Sequence, residues 1–351
     1  MKSLHFIDFS TIFLGKFLYL FDCFILLQVN LETNSALMRN ILYAFLCFFI
    51  TSLTIEAHDY DARKWMSTLP DAALMVEISI PATHDSGAMF GGFSLKTQNA
   101  TIQEQLDKGI RGFDMRLKPR KEGKLGVYHD IKFQKITWEE DVLPTMVNFL
   151  KSHPTETLWV SLKKEGGETD EYVKLITASL QNPELEKFIV KGVTSDLTLG
   201  ECRGKILFVH RDTYLKQFPG MQCYNWPDNG TGPILLKTQD GVELKGAVED
   251  EYKYERGKKA DYKAELTWKH MQDAMHKLQE EKTWYISFAS ATALPKAGPA
   301  HFAKVVNPYL AKKTVAASRP CGIVLVDFSG SEEIEVLIEN LILLNQKYFK
   351  K

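Results

Sequence analysis

From about residue 60 onward, short apolar runs alternate with longer stretches whose apolar positions recur at helical spacing. The short runs predict strands at 77–81, 112–116, 125–129, 157–162, 205–210, 247–249, 284–290 and 322–327. Most are continuously apolar rather than alternating, as expected of strands buried on both faces of a parallel sheet. Helices are predicted at 101–108, 139–152, 171–180, 262–279, 300–312 and 331–346. Thr137, with Glu140 three residues on, has the spacing of a capping box. The alternation predicts an α/β fold in one domain, a (β/α)8 barrel of the TIM type. Between Arg116 and Leu125 there is room only for a turn, so the barrel is expected to be distorted or incompletely closed.

Residues 1–57 follow another pattern. The apolar segment 5–28 is interrupted by Asp8, Lys16 and Asp22. Residues 38–57 have the order of a signal peptide: Met38 and Arg39, an apolar core from Ile41 to Leu53, then Ala57. That core is short for a transmembrane span. A cleaved secretory signal beginning at Met38 is expected, giving a secreted barrel of residues 58–351. Two readings of residues 1–37 stay open: an over-extended start, or a second apolar segment that anchors the protein to a membrane.

Composition narrows the function. The chain has 351 residues, is 45% hydrophobic and 25% charged, and carries a formal net charge of −1. These values suit a folded globular domain and argue against a nucleic-acid partner, which usually requires a basic surface. They also give no polybasic signal for anionic lipid. A monomer is expected. Beyond the leader, Cys202, Cys223 and Cys321 cannot all pair within one molecule, which leaves one disulfide such as Cys202–Cys223 or three buried thiols as alternatives. Asn99 and Asn229 stand in glycosylation triplets.

The chemistry gathers where strands end. His84-Asp85 and His129-Asp130 close two predicted strands, and Asp114 and Arg116 close the run between them. Asp327 ends the last apolar strand, where a carboxylate can orient an imidazole. Lys163 and Lys164 end the fourth strand and Arg211 follows the fifth, so cations from three strand ends would ring one anionic ligand. Two imidazoles and a guanidinium suit general acid–base work on a phosphodiester.

In order along the chain, "WMSTLPDAALMVEISIPATHDSG", "GIRGFDMR", "VYHD", "SLKKE", "RGKILFVHR", "WPDN" and "GIVLVDF" resemble the bacterial-type phosphatidylinositol-specific phospholipases C, the X-domain family. The resemblance runs from about Lys64 to the C-terminus and implies a distorted TIM barrel. It further implies cleavage of phosphatidylinositol to diacylglycerol and inositol 1,2-cyclic phosphate, and leaves open whether glycosylated inositol anchors are cleaved as well. In that family pattern His84 is the general base, oriented by Asp327. His129 is the general acid with Asp85 as its partner, and Arg116 stabilises phosphate charge. Lys163, Arg211, Asp250 and Tyr252 hold the inositol, and Asp114 takes a position where calcium-dependent relatives have an acidic metal ligand. With Arg116 present, no metal and no cofactor are expected. Asp130 departs from the family's usual glycine, and Ala82 stands where glycine is common. Met89, Phe90 and Phe93, with residues 291–295, form apolar rim candidates for transient membrane contact. The alternative reading is a non-catalytic secreted X-domain protein that binds inositol lipid or acts as an effector.

Overall fold

The computed structural model describes residues 61–254 and 260–350, so the predicted leader lies outside the described residues. Eleven strands form one sheet among the described residues, and all but two of them close into a barrel. The wall runs β1 (Ile80–Thr83), β2 (Gly112–Pro119), β5 (Leu158–Lys164), β6 (Ile206–His210), β7 (Met221–Tyr224), β8 (Thr231–Thr238), β9 (Glu243–Glu249), β10 (Trp284–Phe288) and β11 (Ile323–Val326). β3 (Leu125–His129) and β4 (Lys132–Thr137) form a hairpin beside the wall, antiparallel to the far end of β2. All wall neighbours are parallel except β8, which is antiparallel to β7 and β9.

Burial explains why most of the wall was legible. β6, β10 and β11 are buried at every position, so they read as unbroken apolar runs. β8 alternates between buried and more exposed positions, and β4 and β7 are short or polar, so the pattern did not reveal these three. The first predicted strand also needs correction. Met75–Glu77 forms a 3-10 turn, and the strand starts only at Ile80. β9 extends upstream to Glu243, beyond the predicted 247–249, because it pairs along its length with the unforeseen β8.

The expected irregularity lies between β1 and β2. They pair only through Ala82 with Gly112 and Thr83 with Phe113 before β2 leaves β1 and accepts β3. Gly112 permits this approach, since a Cβ there would lie 2.4 Å from the Cβ of Ala82. Helices Ile102–Asp107, Leu143–Ser152, Thr169–Leu180, Ala260–Glu281, Pro299–Thr314 and Glu332–Phe349 match the six predicted. The cap at Thr137 differs in detail. Its hydroxyl accepts from the Glu140 N–H, but the reciprocal carboxylate is Asp141, bonded to the Thr137 N–H at 2.7 Å. A π-helical first turn, Trp138–Val142, is wider than an α turn and brings the fourth residue into that place. Cys202, Cys223 and Cys321 are buried free thiols.

At the end of the barrel remote from the strand C-termini, Arg111 is fully buried. Its Nε donates to Glu156 Oε2 at 2.9 Å, and its other nitrogens donate to the carbonyls of Leu106, Ile110 and Ala62. Removing one partner of a buried pair strands the other charge. Arg111→Met should therefore lower stability by about 3–5 kcal/mol, read as a shift in urea-denaturation midpoint. A loss below about 1 kcal/mol would show that the barrel floor does not depend on this pair.

Candidate active site

The C-terminal ends of the strands carry the site, as in other parallel barrels. His84 follows β1, Asp114 and Arg116 lie on β2, and His129 ends β3. Lys163 is near the end of β5, Arg211 follows β6, Asp250 follows β9 and Asp327 follows β11. Asp114 and Arg116 share a face because side chains alternate along a strand. Register sets Arg116 beside Lys163 on the neighbouring parallel strand. The residues after His84, His129 and Asp327 all adopt the left-handed backbone region: Asp85 at φ 43°, Asp130 at φ 53° and Phe328 at φ 57°. Each turns the chain sharply away from the cleft. At Asp130 the left-handed turn accounts for the family's glycine, and aspartate is among the side chains that tolerate it.

These elements enclose a cleft of about 450 Å³. His84, Arg116, His129, Lys163, Arg211, Asp250, Tyr252 and Asp327 line it, whereas Asp85 and Asp114 lie beneath, 2% and 0% exposed. His84 Nδ1 lies 2.9 Å from Asp327 Oδ1, and its Nε2 lies 2.9 Å from an Arg116 Nη that can only donate. Nε2 therefore carries the lone pair, which accepts from Arg116, and the ring proton sits on Nδ1, facing Asp327. His129 Nδ1 is 2.8 Å from the Leu95 carbonyl, an acceptor only, so this ring also carries its proton at Nδ1 and turns Nε2 inward. The two rings meet edge-on with centroids 6.3 Å apart. Asp85 Oδ2 sits between them, 3.3 Å from His84 Nε2 and 3.4 Å from His129 Nε2.

Arg116 joins these parts. It donates twice to Asp114 Oδ2, at 3.1 and 3.2 Å, and pairs with Asp85 Oδ2 at 2.9 Å. Burial works against its charge, but Asp85, Asp114 and Glu165 outweigh that effect and hold its pKa above the ordinary arginine value. Burial would raise the Asp114 carboxyl too, yet Arg116 and Arg211 hold it below the usual carboxylate range. Burial and the Arg116 charge push His84 well below an ordinary histidine, so it is neutral at neutral pH. Burial lifts Asp85 to about 6, against the pull of Arg116 and His129.

His84, Asp85 and Asp114 are also the one group of candidate metal ligands among the described residues, with donor atoms within 4.8 Å of one another. The Arg116 guanidinium occupies the point on which they converge, within 2.9–3.1 Å of each. A divalent ion would have to displace a fixed positive charge, so the donor set does not fit a metal.

Opposite the histidines, the Arg211 guanidinium stacks 4.0 Å from the Trp226 ring and lies 3.5 Å from Asp250 Oδ2. Trp226 Nε1 donates to that same oxygen at 2.9 Å. The Tyr252 hydroxyl donates to Asp228 at 2.8 Å. Lys163 reaches Glu165 at 3.4 Å, and Glu165 also accepts from the Asp130 N–H at 2.8 Å. Lys164 faces away and donates to the Gly167 carbonyl, as strand alternation requires. Sequence reasoning missed Glu165, Trp226 and Asp228 as site residues. The motifs "SLKKE" and "WPDN" contain all three, but nothing in their local pattern distinguishes a cleft residue from a solvated one.

Residues 75–212 match the family model described as phosphatidylinositol-specific phospholipase C, X domain. A 1-phosphatidylinositol phosphodiesterase of Staphylococcus aureus is 28% identical over 287 residues, covering 76% of this chain and 88% of that protein. One from Listeria monocytogenes is 29% identical over 300 residues, covering 79% and 84%. Among solved structures, a variant of the Staphylococcus aureus phosphatidylinositol-specific phospholipase C superposes with a TM-score of 0.69 at 25% identity, covering 80% of this chain and 96% of that one. The Listeria monocytogenes enzyme shares the fold, with a TM-score of 0.65 over 80% of this chain and 99% of its own. Residues 75–212 thus match the phosphatidylinositol-specific phospholipase C X domain, and over about four fifths of its length the chain is similar in sequence and fold to the bacterial phosphatidylinositol-specific phospholipases C.

Proposed function

We propose that the protein cleaves phosphatidylinositol as a metal-independent phospholipase C, releasing diacylglycerol and inositol 1,2-cyclic phosphate. The observation that carries this reading is the pair of inward-facing imidazole Nε2 atoms on either side of Asp85 Oδ2, one of them against the Arg116 guanidinium, at the wall of a cleft large enough for an inositol ring. His84 Nε2 takes the proton of the inositol 2-hydroxyl, and that oxygen forms a bond to phosphorus. The bond from phosphorus to the diacylglycerol oxygen breaks in line, and the His129 imidazolium, protonated at both nitrogens, gives its Nε2 proton to the leaving oxygen and returns to the neutral Nδ1–H form. Asp327 holds His84 in the tautomer that leaves Nε2 unprotonated, and Asp85 Oδ2 lies 3.4 Å from His129 Nε2, where it accepts that N–H when the ring carries it. Arg116 bears the charge that builds on the phosphoryl oxygens. Because the nucleophile already belongs to the substrate, proximity supplies much of the acceleration. Lys163, Arg211, Asp250 and Tyr252 offer donors and acceptors to the ring hydroxyls, and Asp114 acts from beneath by holding Arg116 and Arg211.

Contact with a lipid surface would come from the apolar rim. Phe93 is 59% exposed beside cleft residue Ser94, Ile131 is 81% exposed beside Asp130, and Leu294 lines the cleft. Met89 is half-buried and the Phe90 ring lies under the Lys135 ammonium, so Phe93 is the freest of the three rim residues first expected. Modulation of membrane binding is described for one similar protein, the Staphylococcus aureus phosphatidylinositol-specific phospholipase C. The apolar leader supports secretion as the route to such a surface.

Cyclic inositol phosphate should appear when purified protein meets phosphatidylinositol micelles in the presence of chelator. Loss of activity with chelator sinks the metal-free mechanism, and no release from any inositol lipid favours the non-catalytic reading. His84→Ala and His129→Ala should each lower turnover by roughly 10²–10⁴-fold, the usual contribution of one acid–base group. Near wild-type turnover in either variant refutes its role. Phe93→Ser removes a side chain whose transfer from water is worth about 1.5–3 kcal/mol. It should weaken activity on vesicles by roughly ten-fold or more and leave a soluble short-chain substrate unaffected.

Asp85 also predicts a pH dependence. Its folded-state value near 6 exceeds the ordinary 3.8, so the folded form binds the proton more tightly than the unfolded chain. Stability on this account falls as pH rises from about 4 to about 6. Asp85→Asn removes the slope, so its stability relative to wild type should rise between about pH 4 and about pH 7 by on the order of 1–3 kcal/mol. Urea denaturation at the two pH values reads the difference, and a flat or falling one contradicts the burial argument.

A further inference from the structure

Gln134, on the β4 strand of the hairpin, is 1% exposed although its side chain is polar. Its Oε1 accepts from the Phe90 N–H at 2.8 Å. Its Nε2 donates to the Phe90 carbonyl at 3.0 Å and to the Lys132 carbonyl at 3.0 Å. One amide therefore grips both backbone groups of a rim residue and, at the same time, the hairpin residue paired with His129. Lys135 adds to the same junction. It sits at φ 63°, an uncommon conformation for lysine, and its ammonium lies 4.3 Å from the centre of the Phe90 ring.

The gap that Gln134 closes is the one His129 spans. His129 ends the hairpin strand β3, and its Nδ1 reaches the carbonyl of Leu95. Leu95 ends a four-residue helical turn, Gly92–Leu95, that begins two residues after Phe90. The hairpin and the rim segment belong to different parts of the chain, and the His129–Leu95 bond exists only while they stay in register. That bond decides which ring nitrogen carries the fixed proton and so which one faces the cleft.

We propose that Gln134 is a positioning residue for the reaction: it locks the rim segment to the hairpin so that the Leu95 carbonyl accepts the Nδ1–H of the His129 imidazolium and aims its Nε2–H at the leaving oxygen. The proposal rests on the reading of His129 as general acid. Without the amide, the Leu95 carbonyl drifts from Nδ1, and the imidazolium samples orientations in which its Nε2–H misses the leaving oxygen. The deficit then scales with the leaving group's need for a proton. An alkyl alcohol such as diacylglycerol needs one, and a nitrophenolate does not.

The test compares two soluble substrates, so that no lipid interface enters. One is a short-chain phosphatidylinositol below its micellar concentration, and the other is an inositol phosphodiester with a nitrophenyl leaving group. Gln134→Leu and Gln134→Glu should lower kcat on the alkyl substrate by roughly ten-fold, part of the roughly 10²–10⁴-fold a general acid supplies, and stay within about two-fold on the nitrophenyl substrate. Equal losses on both substrates, or none on either, overturn the proposal. His129→Ala is the control for the underlying reading, since a loss equal on both substrates refutes the general acid itself, whatever Gln134 does. The ring 15N shifts of His129 give a second readout that needs no variant. Wild-type protein should show neutral His129 protonated at Nδ1, and the Nε2-protonated form in wild type overturns the proposal even if the Gln134 variants fail to fold.

Discussion

The Arg116 guanidinium is the contact on which the rest of the site depends. It touches His84 Nε2, Asp85 and Asp114 at once, and Glu165 lies within 4.0 Å. Only a planar fork of donors serves these acceptors together, and a lysine ammonium, a single point of charge, would leave some of them buried and unpaired. Burying so much charge carries a desolvation cost that only good geometry offsets. The carboxylates around Arg116 provide that geometry and leave it a cation in every accessible pH range. Burial, together with the same charge, keeps the His84 imidazole neutral, the form a base must have.

The departures of the barrel from regularity serve this cluster. β1 and β2 touch over only two residue pairs, and β2 then leaves the wall's first strand to carry the β3–β4 hairpin. His129 thus approaches from outside the cylinder and faces His84, which comes from the wall itself. A regular barrel would have set both histidines at the same height on adjacent strands, pointing toward the axis. The hairpin places them edge-on across the Asp85 carboxylate, a geometry suited to the two sides of an in-line displacement. The antiparallel β8 completes the wall on the far side, where Arg211, Trp226 and Asp250 stack into a second group facing the cleft.

The rim is built on the same plan. The segment that displays Phe93 is the one whose Leu95 carbonyl bonds His129, and the β4 hairpin strand, through Gln134, holds that segment by its backbone. Surface and chemistry therefore share one short stretch of chain.

What the sequence determined by itself was whatever the chain shows locally. Seven wall strands were visible because strands covered on both faces read as continuous apolar runs. The helices were visible from their spacing, and eight of the ten expected site residues were marked by their place at strand ends, whereas Asp250 and Tyr252 came only from the resemblance to the family's motifs. Tertiary structure decided the remainder. β8 escaped notice because it is covered on one face only, and the start of β1 was misplaced because a 3-10 turn is as apolar as a strand. Depth within the site was equally invisible: Asp114 lies beneath the cleft although the pattern set it beside Arg116. Glu165, Trp226 and Gln134 carry no local mark of the partners that place them, Asp130, Asp250 and Phe90, which lie 35, 24 and 44 residues away. Hydrophobic periodicity reports whether a position is covered, but a hydrogen bond between distant segments exists only once the backbone has brought donor and acceptor within about 3 Å.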